Sequence, residues 1–140
     1  MQHIDLNKMN ITYTSGGNQN QYRKIMKAVT LAMISPNGYN DSPADINNGS
    51  CSYWALAVRK LIPTAILLSH WGHAFICLNY KYYDAEHLLG VNTWRELFKK
   101  KPKYGALDEP NKHTIASMFN RFGSSPALVQ KIVNSAKTFF

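Results

Sequence analysis

Between residues 51 and 84 the chain changes from a helical hydrophobic period to a series of short strand-like runs, and that change restricts its fold more than any other feature. Cys51-Ser52-Tyr53-Trp54-Ala55-Leu56-Ala57-Val58-Arg59-Lys60-Leu61 is an amphipathic run at helical spacing. Ile66-Leu67-Leu68, His73 to Leu78 and Lys81 to Asp84 then follow, divided by turn signals at His70-Trp71-Gly72 and near Asn79. A helix leading into a small antiparallel sheet is the expected unit.

Helical segments flank it. Tyr22, Ile25, Met26, Val29 and Met33 recur at helical spacing over residues 19 to 34, and Ser35-Pro36-Asn37-Gly38 stops the pattern. Tyr39 to Gly49 is rich in Asn, Asp, Ser, Pro and Gly and reads as a loop that delivers the chain to Cys51. Asn92 or Thr93 caps a short helix through Trp94, Leu97 and Phe98 that ends at Pro102, and two further helices are expected over 113 to 121 and 126 to 137. The order of helices, meander and helices predicts an α+β fold. With 140 residues, 45% of them hydrophobic, the chain can bury one core, so residues 1–140 form a single domain. Residues 1–20, polar around Ser15-Gly16-Gly17-Asn18-Gln19-Asn20, are expected to be flexible.

Several function classes are disfavoured. Met1-Gln2-His3-Ile4-Asp5 lacks a basic and apolar leader, and no apolar stretch nears the roughly 20 residues that span a bilayer, so a cytoplasmic protein with no membrane partner is expected. Cys51 begins a helix and Cys77 lies in an apolar strand, which suits two free thiols, the first reactive and the second buried in the core. The net charge of +8 would attract anions, and Lys99, Lys100, Lys101 and Lys103 form the densest cluster. These lysines could contact nucleic acid, but no stacking aromatics or binding motif accompany them, and a solvated helix end is the plainer account.

Chain geometry singles out three residues. Eleven helical residues rise about 16 Å, and about five strand residues return about 16 Å, so the chain comes level with Cys51 as it reaches His73. The next strand turns near Asn79. A two- or four-residue loop centred on Leu78-Asn79 or Asn79-Tyr80 returns Asp84 opposite or diagonal to His73 on one face, about 5 Å or 7 to 8 Å away between Cβ atoms. A one-residue slip would send Asp84 to the other face. Cys51 at a helix N-terminus has a stabilised thiolate. In this arrangement it attacks a carbonyl carbon, His73 moves the proton, and Asp84 fixes the imidazole tautomer. The Cys51 backbone N–H, with a side chain from Asn47 or Asn48, would hold the oxyanion, and Trp71 would stand at the rim of a substrate groove.

Gly49-Ser50-Cys51-Ser52-Tyr53-Trp54-Ala55, Gly72-His73-Ala74-Phe75-Ile76 and Lys81-Tyr82-Tyr83-Asp84-Ala85-Glu86 resemble the core of papain-like-fold cysteine hydrolases, especially compact bacterial and phage proteins of the transglutaminase-like and NlpC/P60 types. The resemblance covers roughly residues 49 to 91. It implies a nucleophile helix packed on a small antiparallel sheet, no cofactor or metal, and a thiol hydrolase or acyltransferase acting on an amide of a protein or peptide. It also departs from the family: the interval from Cys51 to His73 is short, and Asp45 stands six residues before the nucleophile where papain has glutamine. An ionised carboxylate cannot donate to an oxyanion. Peptidase, deamidase, amidase and acyltransferase chemistry thus stay open, beside a non-catalytic effector or inhibitor that binds a protein or nucleic-acid partner on the same fold. Oligomeric state is not legible.

Plainer roles compete at each position. His70, His73 and Cys77 have some zinc character, but in a strand His73 and Cys77 lie about 13 Å apart. Glu86 rivals Asp84 if the hairpin loop has another length. His87 and His113 have no argued partners, and Trp54 and Trp94 belong to the core or a cleft wall.

Overall fold

A computed structural model describes residues 19–98 and 109–140. The lysine cluster and almost all of the N-terminal segment expected to be flexible lie outside the described residues. Helix α1 (Gln19–Met33) buries Tyr22, Ile25, Met26, Val29 and Met33, the face its spacing predicts. The expected loop from Tyr39 to Gly49 is in part helical. Pro43–Asp45 forms one helical turn, which Ser42 caps by accepting the Asp45 N–H at 3.3 Å, with Pro43 preset at the first position. A π-helical turn, Ile46–Ser50, follows and buries Ile46. It runs straight into helix α2 (Cys51–Leu61). Local capping thus overrides the loop-like composition.

Four strands form one antiparallel sheet: β1 (Ile66–His70), β2 (His73–Leu78), β3 (Lys81–Tyr83) and β4 (Asn111–His113), in the order β3-β2-β1-β4. His70 pairs with His73, leaving Trp71-Gly72 as a two-residue turn, and Leu78 pairs with Lys81 across Asn79-Tyr80. All four turn residues have positive φ. Both are therefore type I′ turns, whose twist matches that of the strands they join. Strand β4 has no counterpart in the sequence pattern; the helix read from residue 113 begins at Ile115, because Thr114 caps it by accepting the Ser117 N–H at 3.0 Å and leaves His113 to pair with Leu67. Helices α3 (Ile115–Phe122) and α4 (Pro126–Lys137) close the chain, and Ser125 caps α4.

The sheet has two covered faces. Leu67, Ala74, Ile76, Leu78 and Tyr83 join the main core with α1, α2 and α4. On the other face Phe75 packs with Trp94 and Phe98 of the short 3₁₀ helix Trp94–Phe98, and Leu68 and Tyr82 flank them. Cys77 departs from its expected place in the core: it lies on this second face and is only half-buried. Buried polar groups are paired where the helices meet, as in the Trp54 indole N–H donating to Thr30 Oγ1 at 2.9 Å. Among the described residues no helix is long and apolar enough to cross a membrane.

Candidate active site

Two turns and one helix start bring Cys51, His73 and Asp84 together. Cys51 is the first residue of α2, and its sulfur reaches the start of β2, where it accepts the Ala74 N–H at 3.3 Å and lies 3.8 Å from the Gly72 carbonyl oxygen. The Ser52 N–H and the His73 side chain also hydrogen-bond to it. Burial pushes the Cys51 thiol up, but the hydrogen bond and charge of His73, with the Ala74 and Ser52 N–H groups, bring it below its ordinary value.

His73 joins sulfur to carboxylate. Its Nε2 lies 3.0 Å from Asp84 Oδ2, which leaves Nδ1 as the ring nitrogen for the thiol. Burial lowers this imidazole, yet the hydrogen bonds to Asp84 and Cys51 and the attraction of both lift it to about 9. Phe75 stacks beside the ring at 5.9 Å between centroids, and Phe98 meets it edge-on at 5.5 Å. These rings limit the water around His73, which strengthens its charge interactions.

Asp84 owes its position to the Asn79-Tyr80 turn. The observed register would carry residue 86 opposite His73 and sets Asp84 on the diagonal, one of the two arrangements expected from spacing. Strand β3 ends at Tyr83, however, and the chain turns with the His87 N–H on the Asp84 carbonyl at 3.0 Å. Glu86 is thereby withdrawn from His73 and accepts the Asn47 side-chain amide at 2.8 Å. Asp84 itself is 1% exposed. Burial pushes its carboxyl up, but hydrogen bonds from His73 and His87 and the attraction of both hold it well below the usual carboxylate range.

His87 is the residue that spacing misses. Its Nδ1 lies 2.7 Å from Asp84 Oδ1, which also accepts the Glu86 N–H at 3.0 Å. The signal is present in Asp84-Ala85-Glu86-His87, since an Asp opening a tight turn presents its carboxylate to the residues two and three ahead. His113 also has partners, Ser69 Oγ and Ser117 Oγ, both at 2.7 Å, well along the sheet from the thiol.

The remaining singled-out residues are spread around this centre. Asn47 is engaged with Glu86, and Asn48 is exposed beside it. Trp71 is 57% exposed in the turn that precedes His73. His70 is buried against Trp94 and Phe98, and its Nε2 has no hydrogen-bond partner among the described residues. Burial raises the Cys77 thiol despite hydrogen bonds from Tyr80 and Tyr82, so the two cysteines diverge in acidity. A cavity of about 340 Å³ opens between the end of α1, Pro36 to Asn40 and α4; Ser50 is part of its wall, whereas Cys51, His73 and Asp84 are not. Among the described residues no group of three His, Cys, Asp or Glu side chains is arranged to hold a metal ion. Compared with protein-family models, curated proteins and solved structures, the chain finds no significant match.

Proposed function

We propose that this chain is a cysteine-dependent hydrolase or acyltransferase that acts on an amide bond, on a fold of the papain-like type. The observation that carries this reading is the hydrogen-bonded series from the Cys51 thiol through His73 to buried Asp84, with 3.0 Å between Nε2 and Oδ2. Thiol pairs with imidazole and imidazole with carboxylate, the order that acyl transfer by a nucleophile requires.

Each step uses a group already described. The thiol proton passes to His73 Nδ1, giving a thiolate and imidazolium, and Asp84 supports the ring cation through Nε2. The thiolate adds to the amide carbon to form a tetrahedral oxyanion. That intermediate collapses as the C–N bond breaks, and the imidazolium gives its proton to the departing amine. Water or an acceptor amine then loses a proton to His73 and attacks the thioester, which frees the acyl group and returns the proton to sulfur. An amide is preferred to a more activated ester as the substrate class because its amine leaves only when protonated, and the His73 imidazolium, supported by Asp84, is placed to supply that proton.

The test is thiol labelling. Iodoacetamide should modify Cys51 at pH 6 to 7, well below the roughly 8.5 of a free thiol, and much faster than Cys77. His73→Ala should remove that advantage. Equal, slow labelling of both thiols would defeat the catalytic reading and favour a binding protein that keeps the fold without turnover.

A further inference from the structure

Two imidazoles share the Asp84 carboxylate, and the reaction described so far uses one. We propose that His87 is a positioning residue for this site: its Nδ1–H, donated to Asp84 Oδ1, fixes the carboxylate so that Oδ2 stays on His73 while the proton travels between sulfur and ring. The inference rests on the reading of Cys51 as the nucleophile.

Asp84 needs such a restraint. It lies just beyond β3, outside the sheet ladder, so the strand pairing that fixes Tyr83 does not fix it. A carboxylate free to rotate would exchange its two oxygens and lose alignment with Nε2. Here each oxygen keeps its own partners, Oδ2 meeting His73 while Oδ1 accepts the Glu86 N–H and His87 Nδ1. Charge leads to the same conclusion. Thiolate, imidazolium and carboxylate sum to one negative charge in a buried place, which favours protonating the carboxylate unless further donors hold it ionised. His87 supplies one from a side chain that is 33% exposed, whereas the Asp84 side chain is 1% exposed.

The turn around His87 is fixed from several sides. Tyr82 and Val91 exchange backbone hydrogen bonds at 2.9 Å in both directions, closing its base. Arg23 of α1 donates to the Leu89 carbonyl at 3.3 Å, and the Gly90 N–H donates to the His87 carbonyl at 3.2 Å. Among the described residues, the titratable and charged groups near His87 include Asp84 and Glu86 in its own turn, His73 and Cys51 beyond Asp84, and Arg23 on α1. A histidine that only packed in the turn would leave the Ala and Asn replacements alike in their effect on Cys51.

The experiment compares the full-length chain with His87→Ala and His87→Asn, whose amide nitrogen can replace Nδ1 as donor. Proton NMR of the wild type should show downfield imidazole N–H signals from His73 Nε2 and His87 Nδ1, beside that of His73 Nδ1 on the sulfur. His87→Ala should remove the His87 signal and broaden that of His73 Nε2. The Cys51 alkylation rate at pH 6 should fall about tenfold, and the acid limb of its pH profile should rise by about one pH unit, the scale of one lost hydrogen bond to a charged group. His87→Asn should restore the rate to within about twofold and keep the His73 signal sharp. An unchanged His73 signal and pH profile in His87→Ala, or an Asn variant as impaired as the Ala variant, would overturn the proposal. Should Cys51 prove unreactive in the wild type, the catalytic reading fails, and the NMR comparison still decides whether His87 positions Asp84.

Discussion

Replacing Asp84 with Asn tests the charge and geometry of the site together. The substitution keeps size and shape, but the structure dictates which way the amide must lie. Two donors, the Glu86 N–H and His87 Nδ1, converge on Oδ1, so the amide oxygen has to take that position. Its NH2 group then faces His73 Nε2 at the place where Oδ2 accepted a proton. His73 must turn Nε2 into an acceptor and carry its proton on Nδ1, the nitrogen that should receive the thiol proton. An imidazole that holds its proton to about pH 9, against about 6.5 when free, is favoured as its cation by roughly 3 kcal/mol. That amount is what the Asp84 and Cys51 interactions leave after offsetting burial, and the wrong tautomer weakens both interactions. The Cys51 alkylation rate at pH 7 should therefore fall about a hundredfold, and its pH profile should move toward that of an ordinary thiol near 8.5. Rates would be followed by mass spectrometry from pH 5 to 9, with circular dichroism confirming the fold at each point. An Asp84→Asn profile within about half a pH unit of the wild type would refute the argument.

Other expectations can be checked by unfolding. Because the Asp84 carboxyl is depressed in the folded chain, its contribution to stability is present above the unfolded value near 4 and is lost as pH falls through the lower folded one. Urea midpoints should drop steeply below pH 4, and less steeply in Asp84→Asn. Tyr80 is 94% exposed with φ of 65°, a conformation that disfavours a bulky side chain, so Tyr80→Gly should create an Asn-Gly type I′ turn and stabilise by about 0.5 to 1 kcal/mol in thermal melts. Gly90 has φ of 82°, and a Cβ there would meet the Tyr83 ring at 2.8 Å. Gly90→Ala should lower stability by about 1 to 3 kcal/mol and slow Cys51 alkylation, since Asp84 and His87 lie in the turn that must shift.

The parts legible in the sequence are those set by local chemistry with a fixed period. Helix α1 and the Cys51 helix follow from apolar spacing, and both hairpins follow from turn residues between short strand-like runs. The diagonal placement of Asp84 is readable because side chains alternate strictly along a strand, so an even loop leaves only two options. What escapes depends on tertiary pairing or on short capping patterns. Asn111-Lys112-His113 has no strand-like composition and becomes β4 only because the edge of β1 is there to pair with it. Pro43 to Ser50 has a loop-like composition because its Asn, Asp and Gly content outweighs the cap that Ser42 provides. His87 requires the end of β3 to be known, since only after Tyr83 leaves the ladder does the Asp84 turn fold back.

Cys51, His73 and Asp84 all come from the continuous stretch 51 to 84, one helix followed by two tight hairpins. The three side chains are thus brought together within one continuous stretch, the Cys51 sulfur meeting the Ala74 N–H 23 residues on, so that only a loop of moderate length has to close. Helices α1 and α4 pack behind it and contribute none of its three groups. In consequence α4 can change so long as it still covers the same face of α2, whereas α1 must also keep Arg23 on the Leu89 carbonyl.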